Sequence, residues 1–253
     1  MLFTNPQARR SAYDESLSEV MNIARGQESR QWLSHWNRLA PHPTPAWPLP
    51  RLAAQLGIGQ VVVKDESKRS ALGSFKVLGA PIALLRLVLR RWPDRGWTPA
   101  ELLAGRHAAA LRDFVVVSAT DGNHGRALAA AAQSIGCRCV IVLHAQVSEE
   151  RETPIAALGA EIVRIAGNYD DVNRLCTQVA DRYGWGFVNI NLRSYYAEGA
   201  KTMGFEIVEQ LGWRYPKHLI SPVAGGTLLP RIVRGLRELR EIGLVDGELP
   251  KVY

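Results

Sequence analysis

FVVVSATDGNHGRALAAAAQSIGCRCVIVLHA, residues 114–145, decides the fold. Its β-branched start, FVVVSA (114–119), reads as a strand. The stretch from about Asn123 to Ile135 reads as a helix, and CRCVIVLHA as a second strand. The same order extends outward. On the N-terminal side QVVVKDE (60–66) precedes a helical pattern from Lys76 to Trp92. On the C-terminal side EERETPIAALG, EIVRIAG and YDDVNRLCTQVADRYG read as helix, strand and helix. Repeated βα order predicts an α/β fold, a parallel-rich sheet covered by helices on both faces, with ligands gathered at the carboxyl ends of its strands.

Three loops directly follow strands: KDESKRSALGSFK, SATDGNHGR, and PVAGGTLL after the strand HLISPV. Each sets glycine, a hydroxyl residue or asparagine at a strand-to-helix turn, where free backbone N–H groups and the positive end of a helix dipole favour an anion. Neither the P-loop spacing nor the dinucleotide fingerprint is present. Within SFKVLGA (74–80) one lysine, Lys76, stands between an aromatic and a run of small or aliphatic residues. A buried, unpaired ammonium costs several kcal/mol or gives up its proton, so this amine either snorkels to the surface or is put to chemical use. A lysine in an apolar pocket, a phosphate cradle and an Asn-bearing loop together meet the needs of pyridoxal phosphate. Its aldehyde condenses with a neutral amine, its phosphate takes backbone N–H groups, and its ring is an electron sink.

Composition narrows the alternatives. With 253 residues, 47% hydrophobic and 22% charged, the chain can form one large domain or two small ones around a substantial core. No run approaches the ~18–20 apolar residues of a membrane span, and MLFTNPQARRSAYDESLSE is too charged for a signal peptide, so a cytoplasmic location is expected. The net charge of +7 comes from arginines scattered along amphipathic stretches such as LLRLVLRRW and RIVRGLRELREIG, with few aromatics between them. That pattern fits solvated helix faces and gives no nucleic-acid partner. The three cysteines, Cys137, Cys139 and Cys176, are odd in number. Cys137 and Cys139, two apart in an apolar strand, point the same way, which argues against both disulfides and zinc.

VVVKDESKRSALGSFKVLGA, TPAELLAGRH, VVVSATDGNHGRALAAAA and CRCVIVLHAQVSEERETPIAALGAEIVRIAGNYDD resemble diaminopropionate ammonia-lyase, of the tryptophan-synthase-β-like (fold type II) pyridoxal-phosphate enzymes, over roughly residues 40–171. GNYDDVNRLC, GWGFVNINLRSYYAEGAKTMGFEIVEQLGW and LISPVAGGTLLPRIVRG, within roughly 167–253, resemble threonine synthase of the same superfamily. The resemblance implies a large lobe of residues 1–79 plus 190–253 and an inserted small α/β lobe of residues 80–189. It also implies that the C-terminal part of the fold, with the residue that contacts the pyridine nitrogen, is missing after KVY. A natural intermediate between the families and a chimeric or misassembled reading frame both stay open.

Carried onto this sequence, the resemblance makes Lys76 the lysine that joins the cofactor. Asn123 would hydrogen-bond the pyridoxal 3′-oxygen, and Gly225, Gly226 and Thr227 would cradle the phosphate. Asp121 would be a second acid/base serving one substrate enantiomer, where threonine synthases usually carry Thr-Gly-Asn; the other reading of Asp121 is an N-cap for the helix at Asn123. Ser118 and Thr120 would line the substrate-carboxylate side, and His124 would pack the loop or donate a hydrogen bond there. The lyase's second aspartate has no counterpart in NINLRSYYAEG, which puts elimination from the L-isomer in doubt. The implied activity is β-elimination from a small amino acid, 2,3-diaminopropionate going to pyruvate and ammonia. The resemblance implies no metal, no membrane partner and, as one option, a homodimer. Threonine synthase, with Lys68, Arg69 and Lys201 as candidates for an extra phosphate site, is the alternative. A truncated remnant that binds the cofactor without turnover is the third.

Overall fold

In a computed structural model, residues 15–189, 194–223 and 226–253 are described. Two helices, α1 (Glu15–Val20) and α2 (Ile23–Ser34), lead to a hairpin-like pair, β1 (Ala46–Pro48) and β2 (Val62–Lys64), with α3 (Pro50–Gln55) between them. Next come α4 (Ala80–Arg91), α5 (Pro99–Leu103) and α6 (Ala108–Leu111). The alternating block follows: β3 (Val115–Ala119), α7 (Asn123–Ile135), β4 (Arg138–His144), α8 (Glu149–Ala156), β5 (Glu161–Ile165), α9 (Tyr169–Tyr183) and β6 (Gly186–Phe187). The last described elements are α10 (Ser194–Gln210), β7 (His218–Leu219), α11 (Leu228–Glu241) and β8 (Lys251–Val252).

Side-chain alternation explains why the block forms a covered sheet. Val116 of β3 and Cys139, Ile141 and Leu143 of β4 face one way, into a buried cluster with Ala127, Leu128 and Ala130 to Ala132 of α7. Val115, Val117 and Ala119, with Val140 and Val142, face the other way and meet Val172, Cys176 and Ala180 of α9. The alanines of α7 let that helix lie close to both the sheet and α4. The four strands are parallel in the order β5-β4-β3-β6, so the chain steps outward from β3 through β4 to β5 and then returns to the other side of β3. The carboxyl end of β3 is therefore the switch point where open parallel sheets make a crevice.

A second layer is helical. Leu33 of α2, Leu78 and Ile82, Met203, Phe205 and Val208 of α10, and Leu228, Ile232 and Leu236 of α11 form one buried cluster. Two expectations are corrected. The strand expected at 60–66 does not join the parallel sheet: Val62–Lys64 pairs antiparallel with Ala46–Pro48. Its chain neighbour β1, supplied by the Pro-rich 41–50 stretch, is close enough to close a local pair first. The helix expected from Lys76 starts at Ala80, because Phe75–Leu78 takes a tighter 3₁₀ turn and Pro81, which has no N–H to donate, fits the first turn of α4.

Candidate active site

Lys76 sits in the 3₁₀ turn Phe75–Leu78. The turn is opened by Ser74, whose extended backbone lets its hydroxyl accept from the Lys76 N–H at 3.2 Å. Val77 and Leu78 are buried and pull the turn inward, so the lysine is half-buried, its Nζ 4.8 Å from the centre of the Phe75 ring. Burial lowers the amine from 10.5 to about 8. The turn is also held from behind: a Cβ on Gly199 of α10 would lie 1.7 Å from the Leu78 carbonyl oxygen. No other residue lets α10 approach so closely.

The loop after β3 turns at Gly122, whose φ of 148° is open to glycine. The N-cap of α7 is Gly122, and the buried Thr120 supplies the acceptor, its Oγ1 accepting from the N–H of Gly122 and of Gly125, each at 3.0 Å. Asp121 is left out of the cap. Its side chain is 55% exposed, with Oδ1 3.4 Å from Nε2 of His144, and its main-chain oxygen accepts from Nη1 of Arg151 at 3.4 Å. The N-cap position is taken by Gly122, and Thr120, not Asp121, supplies the side-chain acceptor for the first turn.

Ser118 is fully buried and its hydroxyl donates to the Val188 carbonyl, while Nε2 of His124 lies 3.0 Å from both groups. These bonds fasten the chain just past β6 to the loop after β3. Burial pushes His124 down to about 4, and the positive charge of Lys76 acts in the same direction, so the ring is neutral near pH 7 and close enough to Lys76 to feel it. Asn123 is exposed at the first turn of α7.

At the head of α11, Gly226 has φ 76° and donates to the Val223 carbonyl at 2.8 Å, and Thr227 is the capping residue. Gly225 lies outside the described residues, as do residues 190–193 of the NINLRSYYAEG segment. A Cβ at Gly226 would meet open space, so the backbone there is accessible to a ligand. Leu228 shares its buried cluster with Leu78, which ties the head of α11 to the lysine turn. A half-buried amine of lowered basicity and an open glycine at a helix N-terminus fit pyridoxal phosphate.

Of these residues the structure brings His124 beside Ser118, and Asp121 beside His144. It sets Ser118 and Thr120 inside the scaffold of the loop. His144 had not been singled out; it ends a strand, and the strand-end rule applied to CRCVIVLHA would have found it. Of the phosphate-site candidates, Lys68 is exposed. Arg69 is buried against Glu66 at 2.7 Å and Glu206 at 2.6 Å. Lys201 is fully buried between Glu198 and Glu238 and donates to the Asn22 carbonyl at 2.9 Å. All three cysteines are buried and unbridged, with burial pushing the thiol of Cys137 up to about 12. Two surface clefts, around Arg38 and Ser134 and around Glu152 and Arg164, have neither Lys76 nor Asp121 in their walls. Among the described residues no helix is long and apolar enough to cross a membrane.

Residues 38–252 match the family described as "Pyridoxal-phosphate dependent enzyme". Diaminopropionate ammonia-lyase of Escherichia coli strain K12 is 34% identical over 202 residues, 74% of this chain and 50% of that enzyme. Threonine synthase of Methanocaldococcus jannaschii is 30% identical over 210 residues, 83% of this chain and 46% of that enzyme. The holo crystal structure of the Escherichia coli ammonia lyase superposes with a TM-score of 0.78 at 29% identity, covering 87% of this chain and 58% of that one. The chain thus spans about half the length of the curated relatives it matches. Both families that the motifs resemble are present, and each likeness is longer than the segment that carries its motifs.

Proposed function

The chain belongs to the pyridoxal-phosphate dependent enzyme family, and from that premise we propose that it is the lysine-bearing part of a lyase that removes ammonia from 2,3-diaminopropionate. The observation that carries this reading is Asp121. Its carboxylate is exposed, takes no part in capping α7, and stands on the loop that follows β3 at the carboxyl edge of the sheet.

Lys76 would hold the cofactor through its amine, Asn123 would face the ring oxygen, and Gly226 and Thr227, with Gly225, would face the phosphate. Bound there, pyridoxal phosphate supplies an electron sink for the pair left on the substrate Cα. Lys76, partly neutral around pH 8, takes the Cα proton on one face and Asp121 on the other. The Cα–H and Cβ–N bonds break, a Cα=Cβ double bond forms, and water completes the change to pyruvate and a second ammonia. His124, neutral and buried, adds no positive charge to the loop that would face the cofactor. We read residues 80–189 as the inserted lobe, which sets this chemistry near its seam with the remainder.

Threonine synthase chemistry needs a further phosphate site, and the commitment of Arg69 and Lys201 to buried ion pairs disfavours it. The test is turnover of D- and L-2,3-diaminopropionate, followed as pyruvate, beside threonine formation from O-phosphohomoserine. Asp121→Asn is expected to lower pyruvate release from the D-isomer by about 10²–10⁴, the usual worth of a positioned acid/base group, with cofactor loading unchanged. Threonine formation without pyruvate transfers the chain to the second family; cofactor binding with no turnover of any amino acid leaves a binding remnant.

A further inference from the structure

β3 and β4 run parallel with Ala119 opposite Val142, and the Thr120 N–H continues the ladder to the Val142 carbonyl at 3.4 Å. Two residues further along each strand stand Asp121 and His144. Strand register therefore sets these side chains next to each other at the carboxyl edge of the sheet. Nε2 of His144 lies 3.4 Å from Oδ1 of Asp121. The imidazole side chain is 20% exposed and the carboxylate 55%, so the histidine is the more enclosed partner and the aspartate the one open to solvent. Nδ1 of His144 is buried and has no hydrogen-bond partner among the described residues. An ionised carboxylate only accepts, and a neutral imidazole carries one N–H, so this approach is favourable when the N–H is on Nε2. Among the described residues, Arg151 of α8 also holds the main-chain oxygen of Asp121, and Tyr169 of α9 feels the aspartate's charge.

We propose that His144 is the positioning residue of Asp121: it donates from Nε2 to Oδ1, fixes the carboxylate's rotamer and leaves Oδ2 for the substrate proton. This rests on the role given to Asp121 above. A base oriented by a third group is the general logic of activated catalytic pairs, and here the neighbouring strand delivers the third group.

Two measurements on the whole chain test it. In nitrogen NMR of the cofactor-free protein, His144 is expected in the Nε2–H tautomer, with ring signals that move in Asp121→Ala. A ring protonated on Nδ1, or one blind to Asp121→Ala, overturns the pairing whether or not the chain turns over. In the cofactor-loaded chain, His144→Leu is expected to lower kcat for D-2,3-diaminopropionate at least about tenfold, within the about 10²–10⁴ that the carboxylate supplies. KM should stay within about twofold, His144→Gln, which keeps an N–H donor, should restore most of the rate, and His144→Leu should cost nothing more in an Asp121→Asn background. If Asp121→Asn costs activity while His144→Leu does not, the positioning role fails and the lyase reading stands. If Asp121→Asn costs nothing, the reading of Asp121 fails first.

Discussion

An amine of pKa about 8 in a chain whose other lysines sit in water or in ion pairs is a titration marker. Lys76 is lowered from 10.5 by burial, so the unfolded chain binds more protons than the folded one between about pH 8 and 10.5. Lys76 therefore contributes a rise in stability with pH across that window, which the three buried thiols, raised by burial, oppose above about 9. Lys76→Met is expected to remove that contribution, so that stability falls more steeply with pH than in the parent chain, as denaturation midpoints measured at several pH values will record. The same substitution should remove the visible absorption of lysine-bound pyridoxal phosphate, and a variant that keeps the absorption refutes the assignment. Lys76 was legible in sequence because burial of a lysine is chemically costly and so draws notice. Asp121 was legible only as a choice between cap and base. Which hydroxyl or carboxylate takes a helix cap depends on loop geometry, here the positive φ of Gly122 that swings Thr120 under the first turn, and no spacing rule encodes that.

Helix α10 decides how firmly the lysine turn is held. Gly199 brings it against the Leu78 carbonyl, Arg69 of the loop after β2 reaches Glu206 of the same helix at 2.6 Å, and Lys201 ties it to Glu238 of α11 at 2.8 Å. Gly199→Ala forces a carbon into a space 1.7 Å from backbone oxygen and is expected to destabilise by about 1–3 kcal/mol, the usual cost of overpacking. It should also raise the exposure of the Lys76 turn, seen as faster amide exchange at Val77 and Leu78. Unchanged exchange there would mean that the turn is held without α10. The alternating block could be read from sequence because apolar runs and helical periods are local signals, and α7 starts and stops where expected. The antiparallel pairing of β2 could not, since an isolated apolar run does not announce its partner.

Across the whole molecule, two buried glutamates on α10 pull stability in opposite directions with pH. Burial alone would raise Glu206, but its bonds to Arg69 and Lys64 win and hold it down at about 2. Its contribution is complete above its ordinary 4.5 and lost as pH falls toward about 2. Burial raises Glu198 to about 7 despite the adjoining Lys201, so the folded form binds the extra proton and stability falls as pH rises from 4.5 to about 7. Buried His124, held down at about 4, pulls the other way up to 6.5. Glu198→Gln is therefore expected to leave stability rising with pH between 4.5 and 6.5 and Glu206→Gln to flatten the slope below 4.5, with denaturation midpoints from pH 2 to 8 as the measurement. A pH dependence between 4.5 and 7 that Glu198→Gln leaves unchanged counts against that assignment.

The bonds from Ser118 and His124 to Val188 join positions 70 and 64 residues apart. Closing so long a stretch of chain costs entropy that neighbouring contacts do not. In time, then, helix α7 and the β3–β4 pair can form early, while the last fastening of the loop beside Lys76 waits for α9 to be completed and β6 to return across the sheet. The bonds among Ser118, His124 and Val188 exist only in a chain made at least as far as Val188. A nascent chain that carries Lys76 but stops short of that residue holds the nucleophile without its surroundings.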